Sequence, residues 1–365
     1  MPAECYTNAK FKNERLCQMK DKLYNNALGF IVSYKQFYEP LLFNELNKRC
    51  PGVRLIDRGK GTAVFAVDDY DRIVNEMNAE KFIFLQHIHP YMNSKEIAGD
   101  SDDMSIFIGM LETIVQSVSK DSTFTCQCRI NSEKTMAYSN TGLTAVLSSW
   151  LEERAYKVFP QNADIAVSLT VYENCAYMGV SYLKDNVSDW TGGVLFYSGA
   201  SDIICRAGFK IEEAFKVFGI QAKEGMNALD LGAAPGGWSH FLSERGVYVD
   251  AVDPADMSDA VVRNHRVSHY KMTAQQFAAA QPNKLYDLIV DDMKMDTNES
   301  IDVLCRMSRY LKKDGAALLT LKLPKKDVMK RINIAKKILG NYFVTVNVRQ
   351  LYYNRSEVSV YANGL

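Results

Sequence analysis

The chain has 365 residues, of which 47% are hydrophobic and 24% charged, so it can bury a sizeable core, and its length favours two or three domains. No apolar run approaches the roughly 20 residues that span a bilayer, and the N-terminus lacks the order of a signal peptide. These features predict a cytoplasmic protein without membrane contact. The 8 cysteines are scattered, and their single close pair, Cys126 and Cys128, predicts neither a disulfide framework nor a metal site.

The charges of the chain are unevenly distributed, although its 43 basic and 43 acidic residues cancel overall. Residues 206–365 hold 23 basic and 18 acidic residues, so the opposite excess lies in residues 1–205. The most basic stretch is LKLPKKDVMKRINIAKK. A polyanionic partner is permitted there, but a solvated helix face explains the same charges equally well.

The N-terminal part of the chain shows a strand–helix–strand–strand–helix–strand order. The predicted strands are ALGFIVSY, VRLID, TAVFAV and KFIFLQHI, and the predicted helices are YEPLLFNELNKRC and YDRIVNEMN. This order is typical of a ferredoxin-like unit. We therefore assign residues 1–95 to an N-terminal ferredoxin-like domain.

A second small α+β domain is predicted over residues 96–185. It begins with the helix MSIFIGMLETIVQSV and continues with the strand TFTCQCRI, the helix GLTAVLSSWLEERAYKVF and the strands DIAVSLTVY and CAYMGVSYL. The stretch that follows is polar and rich in glycine, which indicates a linker over residues 186–205.

From Arg206 onward, strands alternate with helices. The predicted strands are NALDL, VYVDAVD, RVSHY, YDLIVDD, AALLTLKL, YFVTVNVRQ and SEVSVYAN. This alternation predicts an α/β domain with a parallel, doubly wound sheet over residues 206–365. The last two strands have no helix between them and are expected to pair antiparallel, as in the Rossmann-like fold of class I methyltransferases.

The stretch LDLGAAPGGWSHFL, residues 229–242, places glycines between the first strand of this sheet and a helix. A loop in that position lies at the carboxyl ends of the strands, where ligands bind. Its D-x-G-x-x-P-G-G spacing differs from the G-x-G-x-x-G of dinucleotide sites, so a nicotinamide cofactor is the weaker choice. Asp230 can attract a cationic group, and Asp253 at the end of the second strand can accept hydrogen bonds from a ribose diol. Together these features suit S-adenosylmethionine.

The segment DLGAAPGGWS also resembles the cofactor loop of the FtsJ family of ribose 2′-O-methyltransferases. Further stretches match this family in order: CRAGFKIEEAF, YDLIVDDM, LLTLKLP and RSEVSVYA. The resemblance implies S-adenosylmethionine as cofactor and places the family's catalytic set on Lys210, Asp292, Lys322 and Glu357. The predicted cofactor-binding residues are Asp230, Gly232, Ala233, Pro235, Gly236, Gly237, Trp238, Asp253 and Asp292.

Lys322 is the candidate base of this set, because a neutral ribose hydroxyl is a poor nucleophile and must lose its proton as the new bond forms. Burial and the charge of Lys210 would lower the pKa of Lys322, whereas Asp292 and Glu357 would raise it. The sequence leaves both roles open: Lys322 either takes the proton or orients the hydroxyl and stabilises it as it ionises.

The chain resembles more closely those FtsJ-like enzymes that modify large-subunit rRNA and carry a ferredoxin-like domain and a THUMP RNA-binding domain before the catalytic domain. This resemblance implies a THUMP domain at residues 96–185. It also implies large-subunit rRNA as the partner, naked or in an assembly intermediate, with a cytidine as the target.

Two other functions stay open at this point: a THUMP-containing tRNA methyltransferase and a non-catalytic RNA-binding assembly factor. Methylation of base nitrogens is disfavoured because DDMKMD follows the fourth strand where such enzymes carry a Pro-Pro turn. Methylation of base carbons is disfavoured because no cysteine lies close to Asp292 in the sequence.

Overall fold

The computed structural model describes residues 23–195, 204–280 and 283–364. It divides the chain into two compact units, Met1–Val194 and Leu195–Leu365. Residues 1–22 of the predicted N-terminal domain and residues 196–203 of the predicted linker lie outside the described residues. Within the described ranges, no helix is long and apolar enough to cross a membrane.

The first unit begins with a four-stranded antiparallel sheet. Its elements are β1 (Gly29–Ser33), α1 (Glu39–Arg49), β2 (Arg54–Gly59), β3 (Thr62–Ala66), α2 (Tyr70–Ala79) and β4 (His87–Tyr91). The strands lie in the order β2-β3-β1-β4. The chain order of these elements agrees with the one predicted from the sequence.

A five-stranded sheet completes the first unit. Its elements are β5 (Asn93–Glu96), α3 (Asp103–Val115), β6 (Thr123–Asn131), α4 (Asn140–Glu153), β7 (Lys157–Val158), β8 (Ile165–Tyr172) and β9 (Cys175–Tyr182). The strands lie in the order β5-β9-β8-β6-β7, and β6 runs parallel to both β7 and β8. Helix α4 ends at Glu153, before the end of the predicted helix, and the residues beyond it supply β7.

One predicted strand of the first unit begins later than its apolar run. KFIFLQHI was predicted as a strand, but β4 starts at His87 and continues through Pro90 to Tyr91. Phe82 and Phe84 are fully buried without belonging to a strand. A short apolar run shows only that its residues are buried, because periodicity does not distinguish a buried strand from a buried connecting segment.

The second unit is built around a seven-stranded sheet in the order β12-β11-β10-β13-β14-β16-β15. Its strands are β10 (Asn227–Leu231), β11 (Tyr248–Val252), β12 (Val267–Tyr270), β13 (Tyr286–Asp291), β14 (Leu311–Lys322), β15 (Thr345–Arg349) and β16 (Glu357–Asn363). The first five are parallel, whereas β16 pairs antiparallel with both β14 and β15, as predicted for strands without a helix between them.

The helices of the second unit are α5 (Ala207–Phe218), α6 (Gly237–Ser243), α7 (Asp259–Val262), α8 (Ala274–Ala279), α9 (Thr297–Met307) and α10 (Val328–Leu339). One apolar cluster of this unit joins α5 and α6 to the sheet through Ile211, Phe215 and Trp238. In β13, Leu288 and Val290 belong to this cluster, while Ile289 between them is buried outside it. Both faces of β13 are therefore covered, as a central parallel strand requires.

Two buried histidines lie on β4, and one of them, His89, joins the two sheets of the first unit. His89 on β4 is 3% exposed, and its Nε2 lies 2.8 Å from Thr170 Oγ1 on β8. His87 Nδ1 lies 3.0 Å from Ser188 Oγ. Burial lowers the pKa of His89 to about 4, because the charged imidazolium would lose its hydration. These histidines are thus neutral hydrogen-bonding groups in the folded protein, and within the described ranges no cluster of three or more metal-ligating side chains occurs.

His89 should make the first unit sensitive to acid. Its pKa of about 4 in the folded state lies below the ordinary histidine pKa of 6.5, so its contribution to stability is complete above pH 6.5 and is lost as the pH falls towards 4. We expect wild-type protein to lose up to about 1.4 kcal/mol per pH unit in this window relative to a His89→Gln variant, which binds no proton there. Urea titrations of both proteins at several pH values measure this difference. Parallel pH profiles would contradict the expectation.

Candidate active site

The carboxyl edge of the second unit's sheet collects the predicted functional residues. Because β10, β13 and β14 are parallel, the segments after Leu231 and Asp291 and the end of β14 at Lys322 meet at one edge. Strand β16 runs in the opposite direction, so its first residue, Glu357, lies at the same edge and pairs in register with Lys322. The topology therefore places these residues together although they are far apart in the sequence.

Lys210, Asp292, Lys322 and Glu357 form one cluster of alternating charges. Lys210 Nζ lies 3.2 Å from Asp292 Oδ2 and 2.6 Å from Glu357 Oε1. Lys322 Nζ lies 3.0 Å from Asp292 Oδ1 and 2.6 Å from Glu357 Oε2. Each lysine thus contacts both carboxylates, and each carboxylate contacts both lysines. Each group is only partly exposed, so its contacts to opposite charges offset the hydration that it loses in the folded protein.

This geometry determines the direction in which the pKa of Lys322 is shifted. Burial opposes the charge of the ammonium group, but the adjacent carboxylates of Asp292 and Glu357 outweigh burial and raise the pKa of Lys322. For Glu357, burial favours the neutral acid, but hydrogen bonds from Lys210 and Lys322 prevail and lower its pKa. Lys322 is therefore protonated in the free protein, which favours the orienting role over the role of a ready-made base.

Thr320 is a member of this cluster that the sequence analysis missed. Its side chain is 2% exposed, its Oγ1 donates to Asp292 Oδ1 at 2.6 Å, and it accepts a hydrogen bond from Lys322 Nζ at 3.1 Å. Thr320 and Lys322 are two residues apart on β14, so they project from the same face of the sheet. That spacing was the signal in the sequence that could have identified Thr320.

Helix α5 is tied to the segment before β16 by Glu213. This side chain is 2% exposed, and its two carboxylate oxygens accept the backbone N–H groups of Tyr352 and Tyr353, each at 2.8 Å. Phe209 stacks on Tyr353 with ring centroids 5.1 Å apart. Because Lys210 lies on α5, these contacts fix its position relative to Glu357. The KIEEAF stretch thus provides both a charged residue of the cluster and its support.

The glycine loop comes close to the segment after β13. Gly232 has a φ of +75°, and a Cβ on it would lie 2.7 Å from Met293 Cγ and 2.9 Å from its Cα. Gly236 has a φ of +113°, and a Cβ there would lie 2.7 Å from Val261 Cγ2. Both positions combine a left-handed backbone with close neighbours, so glycine is required. The loop backbone is therefore held close to Asp292.

The predicted acidic residues Asp230 and Asp253 stabilise the glycine loop and its flanking elements through hydrogen bonds. Asp230 is 1% exposed and accepts a hydrogen bond from Ser239 Oγ at 2.6 Å, and burial raises its pKa to about 7. Asp253 accepts the backbone N–H of Ala234 at 3.1 Å through Oδ2 and that of Ala255 at 2.8 Å through Oδ1. Asp230 thus connects β10 to α6, and Asp253 fixes the middle of the loop.

A cavity of about 500 Å³ opens between the glycine loop and the charged cluster. All four residues of the cluster line it, together with Gly232, Ala233, Ala234, Pro235, Gly237 and Trp238 of the loop. Among the predicted cofactor residues, Asp230, Gly236 and Asp253 do not belong to its described lining. The cavity size lies in the range typical of small-molecule sites.

Comparisons with known proteins agree with this geometry. Residues 203–338 match the model of the FtsJ-like methyltransferase family. Two relatives named "Ribosomal RNA large subunit methyltransferase M", from Yersinia pestis (strain Pestoides F) and Yersinia pseudotuberculosis serotype O:3 (strain YPIII), are each 27% identical to this chain over 314 residues. Each alignment covers 81% of this chain and 83% of the relative.

Among solved structures, TrmN from Thermus thermophilus aligns with 92% of this chain and 99% of its own chain, at 14% sequence identity and a TM-score of 0.37. This score is too low to establish a shared fold. The family match and the two relatives are the stronger findings, and they agree with the resemblance seen in the loop and in the charged cluster. Residues 203–338 are therefore an FtsJ-like methyltransferase domain.

Proposed function

We propose that this protein transfers the methyl group of S-adenosylmethionine to a ribose 2′-hydroxyl of large-subunit rRNA, with a cytidine as the target. The observation that carries this proposal is the cluster of Lys210, Asp292, Lys322 and Glu357 in the cavity beside the glycine loop. The two relatives are named as large-subunit rRNA methyltransferases, and this chain spans most of their length.

The cavity residues fit a cofactor of this kind. Gly232 lies in the cavity wall without a side chain, and Ala233 and Ala234 beside it add only small side chains. Trp238 is 3% exposed, and its Nε1 donates to Ala207 O at 2.8 Å, which fixes the start of α6 against α5. When bound, the cofactor supplies an electrophilic methyl group on a sulfonium. The protein supplies the shape that holds it.

Lys322 is the group that meets the ribose hydroxyl in this proposal. Protonated, its ammonium group can donate a hydrogen bond to the hydroxyl oxygen and stabilise the negative charge that forms there as the hydroxyl proton passes to water. It becomes a base only when additional positive charge is brought beside it, because such a charge lowers the pKa of an ammonium group. Thr320 and Asp292 fix its orientation in either case.

For the part of the chain before the catalytic domain, we propose a ferredoxin-like domain over residues 1–95, a THUMP domain over residues 96–185 and a linker over residues 186–205. The four-stranded order β2-β3-β1-β4 and the alternation of strands and helices support the first assignment. The mixed sheet packed with α3 and α4 supports a separate α+β domain after it. An RNA partner, naked or in an assembly intermediate, and a cytoplasmic location complete the proposal.

Replacing Gly232 should prevent cofactor binding. A Gly232→Val side chain would collide with Met293 and would force a β-branched residue into a left-handed backbone, so we expect affinity for S-adenosylmethionine to fall about tenfold or more. Asp253→Ala should weaken cofactor binding less. It removes the hydrogen bond to the backbone N–H of Ala234 but changes no residue that lines the cavity. Isothermal calorimetry measures both affinities.

Gly225→Val is the matched control for Gly232→Val. Gly225 has a φ of +82°, so valine meets the same backbone strain there, but no atom lies within 4 Å of its Cβ position. This variant should bind the cofactor like wild type. Wild-type affinity in a folded Gly232→Val protein would refute the assignment of the loop.

Lys322→Ala should abolish methyl transfer and preserve cofactor binding, since its contacts are to Asp292, Thr320 and Glu357 and not to the loop. We expect the single-turnover rate on large-subunit rRNA to fall about 10²- to 10⁴-fold, with the affinity for S-adenosylmethionine within about threefold of wild type. Retention of most activity would remove Lys322 from the mechanism. A steep loss of cofactor affinity would make it a cofactor-binding residue instead.

A protein starting at Leu195, the first residue of the second unit, should bind cofactor but methylate large-subunit rRNA poorly. The reason is that one cavity contacts few nucleotides, whereas the first unit offers further surface for RNA shape. The experiment compares methyl transfer by both proteins to protein-free large-subunit rRNA, to assembled subunits and to tRNA. Cofactor binding measured by calorimetry shows that the shortened protein is folded. Equal activity on rRNA would contradict this division of roles. A preference of the full chain for tRNA would replace rRNA as the substrate.

A further inference from the structure

Three aromatic side chains lie beside the active-site cavity, on α5 and on the segment between β15 and β16. Phe209 immediately precedes Lys210 of the charged cluster, and Tyr352 and Tyr353 come shortly before Arg355, which lines the cavity. An extended chain spans at most about 3.6 Å per residue, so the backbone of Tyr352 lies within about 11 Å of that of Arg355. The aromatic side chains therefore belong to the same edge of the sheet as the charged cluster.

Hydrogen bonds hold the backbone of the segment before β16 in place. Glu213 accepts the N–H groups of Tyr352 and Tyr353, each at 2.8 Å. Asn354 is 1% exposed, and its Oδ1 accepts the backbone N–H of Leu351 at 2.8 Å. The residues on both sides of Tyr352 are thus fixed, and so is the point from which its side chain projects.

The two tyrosines of this segment differ in what their side chains contact. Tyr353 stacks on Phe209, with ring centroids 5.1 Å apart, and its hydroxyl donates to Leu195 O at 2.8 Å. Tyr352 is 37% exposed, and its ring lies perpendicular to that of Tyr353 at a centroid distance of 5.2 Å. Among the described residues, its hydroxyl has no hydrogen-bond partner and no ring stacks parallel to it. The side chain of Tyr352 therefore presents an aromatic surface to the solvent.

The proposed function supplies a ligand for this surface, and the inference rests on that function. When a ribose of an RNA strand enters the cavity, the bases of the neighbouring nucleotides stay outside it, near its edge. Unpaired bases stack on aromatic side chains, and stacking is sequence-tolerant because every base has a π-face. A tyrosine also loses little conformational entropy on binding, because it has only two side-chain torsions to order.

We propose that Tyr352 stacks against a base adjacent to the target nucleotide and so holds an unpaired RNA strand beside the cavity. The proposal deepens the proposed function by naming the form of RNA that the site takes. A base within a duplex is already stacked between its neighbours, so this contact favours single-stranded RNA. Because any base can stack, Tyr352 contributes affinity and strand position, and sequence selection must come from other parts of the protein.

The test compares Tyr352→Ala, Tyr352→Phe and Tyr342→Ala in the full chain. Each substitution at Tyr352 keeps the backbone N–H that Glu213 accepts. Tyr342 is the matched control, since it is 45% exposed and belongs to the same unit. It follows α10 and lies just before β15, which begins beside the end of β16 opposite to Glu357. Tyr342 is therefore an exposed tyrosine at the edge of the sheet away from the cavity.

Two labelled strands serve as probes: a single-stranded oligoadenylate of about 16 nucleotides and a ribose–phosphate strand of the same length without bases. Fluorescence anisotropy in the presence of S-adenosylhomocysteine, at several salt concentrations, measures the affinity of each protein for both strands without any methyl transfer. The two strands carry the same charge, so a difference between them reports contacts to bases. Cofactor binding measured by calorimetry shows that each variant is folded.

We expect Tyr352→Ala to bind the oligoadenylate about five- to tenfold more weakly than wild type, which corresponds to the loss of one base–aromatic contact. The slope of log Kd against log salt should stay the same, because no charge is removed. Tyr352→Phe keeps the ring and should restore the wild-type affinity, and Tyr342→Ala should match wild type. All four proteins should bind the strand without bases equally.

Oligoadenylate binding by Tyr352→Ala that equals that of Tyr342→Ala would overturn the proposal. So would an equal loss of affinity for the strand without bases, which would place the contact on the sugar–phosphate backbone. Failure of Tyr352→Phe to restore binding would do the same, because the contact would then be made by the hydroxyl. The proposed function has its own readout, which is methyl transfer by wild-type protein to protein-free large-subunit rRNA. Failure of that transfer refutes the methyltransferase assignment, while the anisotropy comparison tests the stacking contact alone.

Discussion

The cluster of two lysines and two carboxylates at the carboxyl edge of the second sheet is the constraint on which the site depends. None of its four side chains is fully solvated. Each loses part of its hydration in the folded protein, and contacts to opposite charges compensate for that loss. Removing one member would leave a partly buried charge without compensation. The surrounding structure must therefore hold all four groups together, and α5, β13, β14 and β16 converge at this point.

Two features of the structure bring the four groups together. The first is the antiparallel pairing of β16 with β14, which sets Glu357 directly opposite Lys322, and a shift of one residue would turn one of the two side chains to the other face. The second is Glu213, whose buried carboxylate fixes α5 to the segment before β16 through two backbone amides. The position of Lys210 beside Glu357 therefore depends on hydrogen bonds made at Tyr352 and Tyr353, outside the charged cluster.

Much of this arrangement could be predicted from the sequence, because strand ends and glycine spacing are local patterns. The position of the loop after β10 and the ends of β13 and β14 follow from the apolar runs themselves. The sequence could not assign Asp230 a partner, since its contact to Ser239 depends on how α6 packs on β10. The sign of the pKa shift of Lys322 was also out of reach, because it depends on distances of about 3 Å between residues far apart in the chain.

The four charges of the cluster balance one another within the cavity. Lys210 and Lys322 each contact both Asp292 and Glu357, and their nitrogens lie 2.6 to 3.3 Å from the carboxylate oxygens, so the fields of the four groups largely cancel at longer distances. A charge outside the cavity interacts with the cluster only weakly, because water and salt screen such interactions beyond about 8 Å at physiological ionic strength. The uncharged ribose hydroxyl of the proposed function would therefore enter a site whose own charges already have partners.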